Sequence, residues 1–216
     1  VVEACPRYLL QSISNIDRSI DTPKWMTDAL VQSGLRSHNF LVDVTNYVLM
    51  ELGQPLHAFD ADTIEGDIVV RLAQPAETIT LLNEQTITLT GDELLIADDK
   101  GALALAGIMG GQRSSVTDST TNIVLESAFF NPLAIAARAR RFGLHTDASQ
   151  RFERGVDFEL PELALARAVD LITSVTGSQA GQIVKVENIV HLPTRTPITL
   201  PISKVREVIG IEIEHI

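Results

Sequence analysis

The stretch Ile68-Val-Val-Arg-Leu-Ala-Gln-Pro-Ala-Glu-Thr78-Ile-Thr-Leu-Leu-Asn-Glu-Gln-Thr86-Ile-Thr-Leu-Thr-Gly-Asp-Glu-Leu94-Leu-Ile96 decides the fold class. Its apolar residues fall in short runs rich in β-branched side chains: Ile68-Val69-Val70, Thr78-Ile79-Thr80, Thr86-Ile87-Thr88-Leu89 and Leu94-Leu95-Ile96. Asn83-Glu84, Gly91-Asp92 and, further on, Asp98-Asp99-Lys100-Gly101 separate such runs. Branching at Cβ suits a pleated surface, while Asn, Asp and Gly accept the tight backbone of a turn. Runs of this kind at this spacing predict antiparallel hairpins.

On the N-terminal side, residues 8–16 alternate apolar and polar, which predicts a strand. Thr22-Pro23 then supplies an N-cap and a first-turn proline for a helix closed by Gly34. A second helix is expected over 44–52, capped by Asp43 or Thr45, with Gly53 beyond it. On the C-terminal side, 122–129 reads as an apolar strand. Asn131-Pro132 opens a helix carrying Ile135, Ala136 and Ala139 and stopping at Gly143. Residues 161–175 give the most regular helix, with Leu163, Ala166, Val169, Leu171 and Ile172 apolar and Gly177 as its end. A closing strand follows over 183–189. These elements predict an α+β fold, a mostly antiparallel sheet with packed helices, over residues 1–192. Residues 193–197 read as a linker. Residues 198–216 read as the truncated start of another unit: a short strand, then a helix capped by Ser203 and stopped by Gly210. The chain begins at Val1 and stops soon after that fresh helix signal, so it reads as a piece excised from a larger multidomain chain.

The 216 residues are 45% hydrophobic, enough to bury a sizeable core. Aromatics make up only 5%, too few for a platform that stacks many successive bases. Cys5 is the one cysteine, so no disulfide framework or cysteine-rich metal site can form. The five histidines are dispersed without metal-ligand spacing, and no metal site is expected. No apolar run approaches the roughly 20 residues of a membrane span, and no N-terminal segment has signal-peptide character. The expectation is a soluble, cytoplasmic protein with no membrane partner.

Five arginines (Arg138, Arg140, Arg141, Arg151, Arg154) meet only two acids (Asp147, Glu153) over residues 138–154, in a chain of net charge −11. A basic segment on an acidic body is one place where a phosphate could dock. The alternative is a helix whose terminal arginines complement its dipole, followed by a solvated turn. Gly107-Ile-Met-Gly110-Gly111 follows an apolar run, so its backbone either approaches a ligand closely or makes a tight turn. Its glycine spacing is not the dinucleotide fingerprint. Gln54-Pro-Leu-His57-Ala-Phe-Asp60 is expected to hold His57 in a loop past a helix, as an oriented base or ligand donor, or as a surface histidine bonded locally. Glu126 sits in an apolar strand, where a carboxylate faces solvent or needs a partner. No Ser-His-Asp order or nucleophile elbow is present, so covalent catalysis has no visible candidate.

Five segments taken together carry a family resemblance. They are Val42-Asp-Val-Thr-Asn-Tyr47, Glu51-Leu-Gly-Gln-Pro-Leu-His-Ala-Phe-Asp60, Leu105-Ala-Gly-Ile-Met-Gly-Gly111, Leu125-Glu-Ser-Ala-Phe-Phe-Asn-Pro132, and Arg141-Phe-Gly-Leu-His-Thr-Asp-Ala-Ser149 with Arg151-Phe-Glu-Arg-Gly155. In this order they resemble the B3/B4 region of the bacterial phenylalanyl-tRNA synthetase β subunit, and 198–216 resembles the opening of that family's B5 domain.

The resemblance implies an editing module that hydrolyses tyrosyl-tRNA(Phe) made in error at the α subunit's active site. An apolar phenylalanine pocket rejects an analogue that only adds a hydroxyl poorly, and a second site that bonds the hydroxyl inverts the preference. Carried over by position, Glu126 receives the tyrosine hydroxyl, Gly110 and Gly111 line the amino-acid pocket, and His57 stands near the scissile ester as the catalytic group. Arg36, Thr45 and Asn46 surround the pocket, Thr146 and Ala148 set its size, and the five arginines flank the CCA end of the tRNA. Water would attack the ester, helped by backbone donors and His57, with no evident general base beyond the weaker candidates Asp60 and Asp147. Partners implied are the tRNA(Phe) acceptor end, tyrosine or its ester, and an α subunit in an α2β2 assembly. No cofactor is expected for this piece, and ATP and Mg2+ only for the full synthetase. The alternative is a non-catalytic RNA- or subunit-binding module. A metal- or nucleotide-dependent enzyme has no motif behind it.

Overall fold

The computed structural model describes residues 1–136 and 138–211. Among the described residues ten strands and seven helices form an α+β fold: β1 (Arg7–Ser14), α1 (Lys24–Gln32), α2 (Phe40–Leu52), β2 (Leu56–Asp60), β3 (Val69–Leu72), β4 (Thr78–Thr80), β5 (Thr86–Thr88), β6 (Leu94–Asp98), β7 (Gly101–Leu105), β8 (Met109–Gly110), β9 (Ile123–Phe129), α3 (Pro132–Ile135), α4 (Arg138–Arg141), α5 (Asp147–Arg154), α6 (Leu160–Thr176), β10 (Gln179–Glu187) and α7 (Ile202–Ile209). Every strand pairing is antiparallel. One sheet runs β10-β1-β9-β2, a second runs β3-β6-β7-β8, and β4-β5 is a separate hairpin.

Side chains alternate across a strand, so the first sheet has two distinct faces. Leu9 and Ile13 of β1, Ile123 and Leu125 of β9 and Ala58 of β2 point toward α1, α2 and α6, where Met26, Leu30, Val44, Val48, Leu165 and Ile172 complete one core. Tyr8, Ala128 and Phe59 point the other way, into a second core built with Leu95, Leu103 and Leu105 of the second sheet and with Ile135, Leu144 and Phe152. The architecture is therefore helices on a sheet on a sheet, and β1 and β9 are the first sheet's two inner strands, each bonded on both edges. The hairpins expected from residues 68–108 form, but β3 pairs with β6 and the β4-β5 hairpin is inserted between them.

Several local expectations are corrected. Thr22 does not cap α1; its hydroxyl donates to Asp43 instead, a charged and stronger acceptor, at 2.6 Å. The second helix begins earlier than expected, at Phe40, because Asn39 caps it by accepting from the Val42 N–H. Asp43 lies inside its first turn, fully buried, and accepts from the hydroxyls of Thr22 and Ser37 and from the His38 N–H. The segment holding His57 is strand β2 rather than a loop, because β9 offers it an unpaired edge. The helix expected over 132–143 is two short ones: Ala136 adopts extended backbone (ψ 140°) after α3, and the Arg138 guanidinium donates to the Leu133 carbonyl. In α6 the buried stripe is Pro161, Ala164, Leu165, Ala168, Leu171 and Ile172, which leaves Leu163 and Ala166 on the outer side. No strand forms over 198–201, and Ser203 lies within α7, which starts after Pro201. The rest of the unit expected over 198–216, residues 212–216, lies outside the described residues.

Asp43 ties three loop donors to the start of α2, and removing it strands all three. Asp43→Ala is expected to lower the free energy of unfolding by about 3 kcal/mol. Urea denaturation of the two chains checks this, and a loss below about 1 kcal/mol would mean that water satisfies these groups instead.

Candidate functional site

The register of β9 with its neighbours builds the site. Glu126 stands directly opposite Leu10 on β1 and His57 on β2, so its side chain shares a face with His57 and, one step along the diagonal, with Tyr8. That face looks into the second core rather than solvent. Glu126 is 7% exposed, and the Tyr8 hydroxyl donates to its Oε2 at 2.9 Å. Burial raises the Glu126 carboxyl to about 7 from an ordinary 4.5, and the Tyr8 hydrogen bond works against that rise. Burial likewise lowers the His57 imidazole to about 4 from 6.5. His57 packs edge-on against Phe59 with ring centroids 4.5 Å apart, and its Nε2 is covered without a hydrogen-bond partner among the described residues. An uncompensated buried polar nitrogen is costly, and it is the kind of group a ligand would satisfy.

Glu126 and His57 line one small cavity of about 60 Å³, together with Leu56, Leu105, Gly107, Ile108, Met109, Gly110, Ala148 and Phe152. That volume holds on the order of two water molecules. Gly110 forms the wall opposite His57. A Cβ there would run into the imidazole, with Nε2 only 2.8 Å away, so glycine is required by the approach of the ring. Gly111 is not among the lining residues. Its N–H donates to the Leu103 carbonyl at 2.7 Å, and a Cβ would meet that same oxygen at 2.5 Å, so its role visible here is in strand pairing.

Helix α5 closes the cavity. Thr146 caps it in a reciprocal pair with Ser149, and the Thr146 hydroxyl also donates to the Ile108 carbonyl at 2.7 Å. That bond fixes the helix start against the turn between β7 and β8 and brings Ala148 to the cavity wall. Thr146 itself is not a lining residue. Thr45 and Asn46 sit half-buried on α2 and do not line this cavity, and the Thr45 hydroxyl donates back to the Val42 carbonyl. Arg36 is exposed in the loop between α1 and α2 and makes no hydrogen bond or ion pair among the described residues. The structure thus brings together His57, Glu126, Gly110 and Ala148. Tyr8, Ile108 and Phe152 join them unforeseen; the alternation of β1 puts Tyr8 and Leu10 on one face, but the register that brings that face to Glu126 comes from the pairing with β9.

Asp60 is not positioned to orient His57. Three residues along a strand put it on the other face, where it accepts from the Thr120 hydroxyl at 2.6 Å and the Asp62 N–H. The basic segment is less free than its composition implies. Arg141 donates to Asp92 and Glu93, which holds the Asp92 carboxyl far below its ordinary value. Arg138 donates to the Asp92 carbonyl, and Arg151 pairs with Asp147. Arg140 and Arg154 are the two of the five without a carboxylate partner among the described residues. Asp147, also weighed as a base, is exposed and held by Arg151. Among the described residues no three His, Cys, Asp or Glu side chains converge where a metal ion could sit, and no helix is long and apolar enough to cross a membrane.

Residues 4–177 match the model of the family described as B3/4 domain. The chain is 92% identical over 215 residues to the phenylalanine–tRNA ligase β subunit of Psychrobacter arcticus, and 58% identical over 212 residues to that of Acinetobacter baylyi. These alignments cover 100% and 98% of this chain, which spans 27% of the length of either relative. An N-terminal fragment of the phenylalanyl-tRNA synthetase β-subunit from Pyrococcus horikoshii has a similar fold, with a TM-score of 0.53 at 15% identity over 98% of this chain and 58% of that one.

Two outcomes are expected at the cavity. Gly110→Ala should destabilise the chain by about 1–3 kcal/mol through overpacking on His57. His57→Ala in the same chain should recover much of that loss, and additive effects would show that the two positions do not touch. The second concerns pH. Between about pH 4.5 and 7 folded Glu126 keeps a proton that the unfolded chain has released, so its contribution to stability falls as pH rises. His57 has the opposite slope between about pH 4 and 6.5, where the unfolded chain holds the extra proton. The two slopes oppose each other in the parent. Glu126→Gln should therefore gain on the parent by about 3 kcal/mol in urea unfolding as pH rises from 4 to 8, and a pH-independent difference would refute the buried carboxyl.

Proposed function

The chain belongs to the B3/4-domain family, and from that footing we propose that it is the editing module of a phenylalanine–tRNA ligase β subunit, hydrolysing the tyrosyl ester of tRNA(Phe). The observation that carries this reading is the cross-strand pair of Glu126 and His57 in one cavity walled by Gly110. A carboxyl group buried among apolar side chains has one evident use toward a ring-bearing ligand, which is to accept from a hydroxyl on it. Phenylalanine would leave the same carboxylate unpaired, and that loss is how a polar site rejects an analogue lacking the group. Gly110 has no side chain, so the imidazole can seat against β8 at the cavity wall.

His57 stands at the edge of that cavity, neutral at physiological pH, with Nε2 unpaired. A neutral imidazole can accept a proton from an attacking water or donate to a developing oxyanion, according to its tautomer. Asp60 and Asp147 are engaged elsewhere, so His57 and the ligand's own ribose hydroxyl are the groups left to manage the proton. The other partners of the proposal are the acceptor end of the tRNA and the synthetase α subunit. Arg140 and Arg154 are the arginines with charge to spare for phosphate, since Arg138 and Arg141 are spent on Asp92 and Glu93.

Hydrolysis of tyrosyl-tRNA and phenylalanyl-tRNA by this chain tests the proposal. Selective loss of the tyrosyl ester is expected. Glu126→Ala should cut the selectivity by about ten- to a hundredfold, the worth of a hydrogen bond to a charged group. His57→Ala should slow hydrolysis by about a hundredfold with selectivity retained. Equal rates on both esters, or a folded His57→Ala chain hydrolysing at the parent rate, would reject the assignment.

A further inference from the structure

Glu126 already bonds to a phenol. Tyr8 is 8% exposed, held by β1 between β9 and β10, and its hydroxyl donates to Oε2 at 2.9 Å. An ionised carboxylate offers lone pairs on two oxygens, and among the described residues only Oε2 is taken by a neighbour. We propose that Tyr8 is a positioning residue of the pocket: by occupying Oε2 it fixes the carboxylate plane and leaves Oε1 as the acceptor, so that the cavity favours a ligand that donates a hydroxyl. This rests on reading the cavity as a tyrosyl site and deepens it.

The surroundings of Glu126 make Tyr8 decisive. The titratable groups facing it are Tyr8 and Cys5 from the N-terminal segment and His57 from β2. Burial pushes the Cys5 thiol and the Tyr8 phenol upward and His57 downward, so all three are uncharged at neutral pH. The β7–β8 turn, β8 and α5 present the apolar side chains of Ile108, Met109, Ala148 and Phe152 to the same cavity. No cation among these groups stabilises an ionised Glu126, and the Tyr8 hydrogen bond is the interaction that opposes its burial. Without it the carboxyl keeps its proton to higher pH. A protonated carboxyl spends its O–H as a donor and accepts less strongly, so the preference for a ligand hydroxyl weakens.

Tyr8→Phe keeps the ring and removes the donor. Binding of L-tyrosinamide and L-phenylalaninamide to the parent and variant chains is measured from pH 5.5 to 9 by titration calorimetry. In the variant the preference for tyrosinamide at pH 7 is expected to fall about tenfold, with the midpoint of its pH dependence about one to two units higher and the preference restored near pH 9. A ring that only packs would leave the midpoint and preference unchanged, and that result overturns the proposal. Should Tyr8→Phe fail to fold, 3,5-difluorotyrosine incorporated into a Tyr47→Phe chain labels Tyr8 alone, since the chain has two tyrosines. Its stronger donor should move the midpoint down, and an unmoved midpoint again overturns the proposal. A parent chain that does not prefer tyrosinamide overturns the tyrosyl reading itself, which separates that failure from a failure of Tyr8 alone.

Discussion

A carboxyl group on an inner strand of a sheet covered on both faces is costly to bury unless something bonds to it, and Glu126 is met there by the hydroxyl of Tyr8 from the adjoining strand. The arrangement depends on register. With β9 bonded to β1 on one edge and β2 on the other, Glu126 faces the second sheet together with Tyr8 and His57, and its neighbours Leu125 and Ser127 face the helices. A slip of one residue would turn the carboxylate toward α2 and α6 and bring Leu125 to the cavity. The two cores on either side of this sheet therefore protect the position of one polar group as well as the stability of the fold.

The second sheet and α5 complete the cavity by contacts that are mainly backbone and small side chains. Gly110 lets β8 approach the imidazole, and the Thr146 hydroxyl on the Ile108 carbonyl pins α5 to the adjoining turn. Each element contributes little surface, and the cavity stays small. Burial acts oppositely on its two ionisable groups, favouring the protonated carboxyl and the neutral imidazole. The consequence near neutrality is an uncharged imidazole beside a carboxyl poised between its protonated and ionised forms.

Much of this was legible in the chain itself. The β-branched runs and turn residues of 68–108 specify hairpins, and Glu126 within an apolar strand signals a carboxylate that needs a partner. What local pattern could not supply was pairing across distance. His57 reads as a loop residue because the five residues Leu56–Asp60 carry little strand signal of their own, and β9 supplies the edge that makes them a strand. Asp43 reads as a cap, yet it is buried and serves two loops, one of whose donors, Thr22, lies 21 residues away. The arginines of 138–154 looked free because the acids that neutralise Arg141 lie some fifty residues earlier, at the β5–β6 connection. Nothing in the sequence marks Tyr8 as a site residue, because a tyrosine in an alternating strand is ordinarily core.

The most direct test of this account is a carboxyl carbon-13 NMR titration of Glu126, assigned by its loss in Glu126→Gln, with and without saturating L-tyrosinamide. The buried carboxyl is expected to titrate near pH 7 in the free chain. Tyrosinamide should shift that midpoint downward, because a donated hydroxyl favours the ionised form, and L-phenylalaninamide should not. A Glu126 that titrates in the ordinary carboxylate range, or responds alike to the two ligands, would contradict the account.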